Sequence, residues 1–450
     1  MQYIIFSVLT LMLVGVFLKN RKTFLNNVLM IGGFPLSLFM PSLVIGGINC
    51  QGAFLLILFL LVLASAIMNF PHLIKASATF YLSILLIILS FISLIWAPSL
   101  GEAISMTVKY MMPILFIILI LSVVKSHTDI LRCEKSIITC GIILIVLGIL
   151  NKLSGGFFDS VEGKIKWANT MVLLAPYKSP ANYSFMLGMC ALLSIANYFN
   201  SKKKLWLVLF VLFFAAVILA FTRISMMAVL FSSMILYGIA KRSIFITYIA
   251  PAVAFVTAIA AVVFIKPLRD RMFFDGEKMD LSLAFTNFPV FLTHVDTSGR
   301  TSLWLGALEY FKNSNALIGA GSGSTDYWVK NHSTALALHS DFLRLYFDLG
   351  IIGLCLFLLS FIQIIMVSCS SPKNKFNKSI HLKYKSLCIA AAIFYFITLF
   401  TDNTLNYVTD LGIYLYAFIG FATIIVLSKR PLVLTKKGVV APLNVTVSVT

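Results

Sequence analysis

The sequence predicts an all-α polytopic membrane protein with about twelve or thirteen transmembrane helices, and three observations carry that prediction. Apolar residues make up 60% of the 450 residues and charged ones only 11%, and the mean hydropathy is +0.99. Soluble domains are about 45–50% apolar and about 25% charged. The apolar residues fall in long continuous runs, where a membrane β-barrel would show alternating segments of about ten residues. The net charge of +19 is distributed unevenly between the connections of those runs.

At about 20 apolar residues per crossing, the spans are expected at 2–18, 24–42, 52–68, 77–96, 111–124, 136–150, 181–199, 205–221, 224–240, 243–265, 348–368, 386–401 and 411–427. The first two are the weakest, because Asn26, Asn27 and the Gly/Pro-rich stretch 32–41 interrupt the second. The first run has no basic segment before it and no small-residue cleavage site after it, so it is not expected to be a signal peptide. One set of connections holds twenty-one Lys and Arg against two acids, Asp129 and Glu134, while the other set sums to zero. The whole net charge therefore lies on one side, as the positive-inside rule requires of cytoplasmic loops. Nucleic-acid binding would gather basic charge on one soluble segment, and none exists here. Of the seven Cys, only Cys50 lies near the expected outer face, so no disulfide is predicted there.

The chain accordingly divides into three parts. Residues 1–265 hold the first ten helices with an outer loop at 151–180. Residues 266–347 form a large outer loop carrying the active site, and residues 348–450 hold the last helices and a cytoplasmic tail. Loops on a rigid scaffold are where function concentrates, and the large loop contains His294, His332 and His339. The spans show almost no charge and no internal repeat, both of which coupled transporters commonly have.

Arg223 stands in the short outer turn between two spans, where an Arg either snorkels or binds an anion. In the large loop, Arg269 and Arg271 follow a span closely. Arg300 opens a helical pattern in which Trp304, Leu308 and Phe311 make an apolar stripe expected to rest on the membrane. Gly319-Ala-Gly321-Ser-Gly323 reads as a tight turn, since no strand precedes it. His339 then leads directly into a span, with Asp341 and Arg344 placed to orient its imidazole, a group able to take a proton from a hydroxyl near neutral pH.

His339 and Ser340, then nine residues, then Gly350-x-x-Gly353 at a span entrance, resembles the signature of the O-antigen ligase and polymerase superfamily. The Thr222-Arg223 turn resembles that family's Arg motif, and Gly299-Arg300 with Trp304 its large periplasmic loop. Two features depart from the pattern: a further N-terminal span beyond the family's usual twelve, and Ser340 where Asn is commoner. The resemblance implies a GT-C-like membrane glycosyltransferase in the bacterial inner membrane, with its active site facing the periplasm. It implies undecaprenyl-diphosphate-linked oligosaccharide as donor, no metal and no other cofactor, and a polysaccharide chain-length regulator as a candidate partner. His339, Arg223 and Arg300 would be catalytic. Arg269, Arg271, Asp341 and Arg344 would bind substrate. Polymerisation of lipid-linked repeat units is the favoured activity. Ligation of O-antigen to the lipid A core, another lipid-linked glycosyl transfer, and non-enzymatic flipping or export remain alternatives.

Overall fold

A computed structural model of the protein describes residues 14–31, 44–45, 48–68, 79–154, 180–220, 222–243, 249, 300–333, 338–374, 377–402, 404–407 and 411–428. The regular secondary structure of the described residues is helical apart from a two-residue antiparallel ladder, β1 (Val44–Ile45) with β2 (Ile48–Asn49), in which Val44 faces Asn49. Its helices are α1 (Arg21–Ile31), α2 (Cys50–Met68), α3 (Tyr81–Ile92), α4 (Leu100–Val123), α5 (His127–Leu153), α6 (Pro180–Ser201), α7 (Lys204–Leu219), α8 (Arg223–Lys241), α9 (Arg300–Phe311), α10 (Ser324–His332), α11 (Asp341–Cys369), α12 (Lys378–Thr401) and α13 (Ile413–Leu427). A 3₁₀ turn, Thr404–Tyr407, joins the last two.

Among the described residues, five stretches are long and apolar enough to cross a membrane: Leu100–Val123, His127–Leu153, Ile224–Lys241, Asp341–Cys369 and Ile380–Phe400. Shorter apolar helices accompany them at Leu56–Met68, Tyr81–Ile95, Lys204–Leu219 and Ile413–Leu427. This is a polytopic all-α membrane protein. Helix α13 is buried from Ile413 to Val426, as befits a helix apolar on every face, and it packs against α4, α11 and α12. The outer helices present aliphatic stripes, such as Leu359, Ile362 and Met366 on α11, at the spacing of one helical face.

Local chemistry sets the helix starts. Ser99 accepts from the Glu102 amide and Ser126 from the Asp129 amide, and each carboxylate lies in a first turn, where the helix dipole favours it. Four helices begin earlier than hydropathy predicts. Helix α4 starts at Leu100 instead of 111, α5 at His127 instead of 136, α11 at Asp341 instead of 348 and α12 at Lys378 instead of 386. The added turns bring Lys109, Glu134, Asp341, Arg344 and Lys383 into helices. The expectation of nearly charge-free spans is therefore corrected. Buried charges are tolerated where partners satisfy them, and here they are paired. Glu134 and Lys383, expected in cytoplasmic connections, form an ion pair with both side chains only 3% exposed, and the Asn197 amide also donates to Glu134. The expected boundary between loop and last helices at 347/348 falls inside α11. The expected span 243–265, most of the loop 151–180 and the tail beyond 428 lie outside the described residues.

Candidate active site at the entrance of helix α11

Helix α11 opens with Ser340 as its N-cap, accepting from the Leu343 amide. His339, immediately before it, has φ of 57°. A left-handed conformation is unusual for a residue other than glycine, and such backbone persists only where surrounding structure holds it. Nine residues into the helix, Gly350 (φ 66°, ψ −169°) breaks it. The break frees carbonyls above and amides below, and in a membrane each must find a partner within the protein. The loop between α9 and α10 supplies them. The Ala320 and Gly321 amides donate to the carbonyls of Phe347 and Asp348, while the Ile351 and Ile352 amides donate to those of Ala316 and Leu317.

That loop is glycine-rich because the backbones touch. A Cβ on Gly350 would lie 2.3 Å from the carbonyl of Leu317, and one on Gly319 would lie 2.5 Å from that of Asp348. Gly319, Gly321 and Gly323 all have positive φ, which glycine alone adopts without strain. The Asp348 carboxylate completes the junction. It accepts from the Gly323 amide at 2.9 Å, the Thr325 amide at 2.8 Å and the Thr325 hydroxyl at 2.6 Å, capping α10 with a negative charge. Further down, the Ser322 amide donates to the Ser93 hydroxyl. The segment carrying α10 is thus pinned to the bundle at several points.

Helix α9 packs over this junction. Trp304 Nε1 donates to the Leu338 carbonyl at 2.8 Å, directly beside His339. Arg300 sits one turn before Trp304, on the same helical face. The expected membrane stripe is corrected here. Trp304 and Phe311 turn inward toward Trp328 and Phe347, whereas Leu305 and Leu308 face outward. Indole N–H groups seek a partner on burial, and the Leu338 carbonyl provides one.

Beneath His339 lies a buried polar network. Arg344, fully buried, donates to Asp326 at 2.8 Å, to Asn406 at 3.1 Å and to Asp341 at 3.3 Å. Asp341 also accepts from the Leu405 amide at 2.8 Å. Lys109 donates to Asn406 Oδ1 at 2.7 Å and approaches Asp326 at 3.8 Å. Among the described residues, the carboxylate that comes close to the imidazole is Asp402, whose Oδ1 is 3.6 Å from His339 Nδ1. That is charge-pair range rather than a hydrogen bond. The sequence reading gave the orienting task to Asp341 and Arg344. The structure puts those two in one ion-pair cluster and a different carboxylate, Asp402, beside the ring. The His339 side chain retains 34% exposure.

Arg223 opens α8, and its side chain lies outside the described residues, as do Arg269 and Arg271 altogether. The start of α8 lies at the same end of the bundle as His339. Ser184 near the start of α6 bonds Thr222 and Ser225, and the neighbouring Phe185 packs on Phe394, two turns before Asp402. Sequence reasoning missed Lys109, Asp326, Asp348, Asp402 and Asn406 as site residues. A signal existed for two of them. The run from Thr401 to Asn406 is strongly polar between two spans. Lys109 had none, since it precedes an apolar run like any flanking Lys.

A family model described as O-antigen ligase matches residues 208–358, about a third of the chain, and supports the O-antigen ligase/polymerase superfamily. The matched stretch contains Arg223, Arg300, Asp326, His339, Arg344, Asp348 and both Gly350 and Gly353. Lys109, Asp402 and Asn406 lie outside it and join the site only through the fold. No curated protein matches the chain.

Proposed function

We propose that this chain, a membrane enzyme of the ligase/polymerase class by virtue of its O-antigen ligase domain at residues 208–358, is a polymerase of lipid-linked oligosaccharide repeat units working at the periplasmic face of the bacterial inner membrane. The observation that carries the chemistry is the strained, accessible His339 beside buried Asp402. Asp402 stands where it can orient the imidazole and stabilise its charged form, and the ring's partial exposure lets an acceptor approach.

In the proposed reaction a sugar hydroxyl of the acceptor gives its proton to the His339 imidazole as its oxygen bonds the donor's anomeric carbon. The bond from that carbon to the diphosphate oxygen breaks, and undecaprenyl diphosphate leaves with the electron pair. Asp402 stabilises the imidazolium that forms. General-base help of this kind contributes about 10²–10⁴ in rate. The described network around His339 holds more carboxylates than cations, so it suits the proton-accepting side. The leaving diphosphate needs separate cations, a role that fits Arg223 and Arg300, with Arg269 and Arg271 as further candidates. Guanidinium groups match phosphate oxygens in pairs, and loss of one preorganised donor raises such a barrier by about 3–4 kcal/mol. Asp341 and Arg344 then act as positioning residues beneath the ring rather than as substrate contacts.

Ligation to lipid A core would use the same donor. Gel analysis of surface glycan from a deletion strain separates the two activities. Single attached repeats support polymerisation, whereas glycan absent from the surface with long chains left on the carrier lipid would assign ligation instead.

A further inference from the structure

At the end of the bundle remote from His339, α6 and α8 each finish on a left-handed residue that is not glycine: Lys202 (φ 57°) and Arg242 (φ 55°). Helix ends favour glycine at such positions because a side chain there is strained, yet both carry a long cation. Two aromatic side chains bring these ends together. The rings of Phe199 on α6 and Tyr237 on α8 lie 5.1 Å apart. Lys202 Nζ sits 5.4 Å over Phe199 and 5.6 Å over Tyr198, and Lys241 Nζ sits 6.0 Å over Tyr237. Exposed Lys203 and Lys204 complete the group. Five cations thus converge from two separate connections. Among the described residues none of them pairs with a carboxylate, and no acid occurs in 195–204 or 237–243.

One cation per terminus is enough to complement a helix dipole, and scattered basic residues suffice to set topology. Neither requires two loops to meet over a shared aromatic floor. The cluster also borders the membrane, since Leu205, Val208 and Leu212, just past it on α7, are exposed aliphatics. A ligand here meets cations at one level and an apolar wall at the next.

We infer that Lys202, Lys203, Lys204, Lys241 and Arg242 form a binding site for the phosphate headgroup of an anionic phospholipid, with its acyl chains along α7. Basic pockets between transmembrane helices on the cytoplasmic side bind such headgroups. The Phe199–Tyr237 pair holds the ammonium groups in place by cation–π attraction. The site is about 27 Å from Arg223, by the helical rise along α8 from Arg223 to Lys241, and is independent of the transfer chemistry.

The test is native mass spectrometry of the full-length protein, purified and re-equilibrated with equal phosphatidylglycerol and phosphatidylethanolamine. The wild type should retain phosphatidylglycerol selectively. The K202Q/K241Q/R242Q variant should retain at least about tenfold less, since each basic residue near the membrane surface adds to the attraction for an anionic headgroup. The charge-keeping K202R/K241R/R242K variant should restore retention, and K373Q/K378Q, in another basic connection, should behave as wild type. Size-exclusion profile and melting temperature establish that each variant is folded. Equal retention by wild type and the triple Gln variant overturns the site. So does full displacement of the lipid by millimolar inorganic phosphate, which would mark a site for the free ion alone.

Discussion

Arg344 on α11 donates to Asp326 on α10 at 2.8 Å with its side chain wholly excluded from solvent. Asp341 and Asn406 take further donors of the same guanidinium, so one Arg ties the α10 segment, the entrance of α11 and the turn after α12 into a single floor under His339. A buried charge so engaged holds structure, and its loss leaves Asp341 buried without its cation and Asp326 with only the longer Lys109 contact.

Replacing Arg344 should therefore act on folding first. Arg344→Ala leaves Asp326 and Asp341 without their shared cation, and breaking one side of a buried pair costs about 3–5 kcal/mol. A large fall in melting temperature, or failure to accumulate in the membrane, is expected. Arg223→Ala should instead insert and melt normally while losing chain extension. Normal stability of Arg344→Ala, measured by thermal denaturation in detergent, would show that the floor does not depend on it.

Asp402→Asn tests the partner of the imidazole. The substitution keeps size and removes charge, so the protein should fold and bind acceptor with little change in KM. The turnover number should fall by about 10–100-fold, less than the 10²–10⁴-fold expected of His339→Ala. A loss confined to KM would assign Asp402 to acceptor binding.

Gly350→Ala places a methyl 2.3 Å from the Leu317 carbonyl at a backbone angle of 66°. With ψ at −169°, this backbone region is essentially restricted to glycine and costs a side chain about 1–3 kcal/mol, and the collision must also displace a loop whose amides satisfy the broken helix. Destabilisation above about 2 kcal/mol is expected. Gly101→Ala, where nothing lies within 4 Å of the added carbon, should be neutral or mildly stabilising. Similar melting temperatures for the two would contradict the close approach.

Glu134 and Lys383 provide a charge-pair test away from the site. Lys383→Met should destabilise by about 3–5 kcal/mol because Glu134 stays buried, and Glu134→Met/Lys383→Met should recover much of that loss. Additive losses in the double variant would mean that the two residues act separately.

Sequence alone was enough to establish the helical membrane architecture and the His339–Gly350–Gly353 signature, because each is a local pattern along the chain. Hydropathy averages over a window, so it stopped helices short at Lys109, Glu134, Asp341 and Lys383, where the cost of each charge depends on a partner elsewhere. Those partners are distant: Lys109 meets Asn406 across 297 residues and Asp341 meets Leu405 across 64. Only tertiary structure decided that Asp402, and not Asp341, stands beside the imidazole, and that Arg344 is spent on Asp326. Whether a charged group faces solvent, substrate or a buried counter-ion is set by what the folded chain brings within a few ångströms of it.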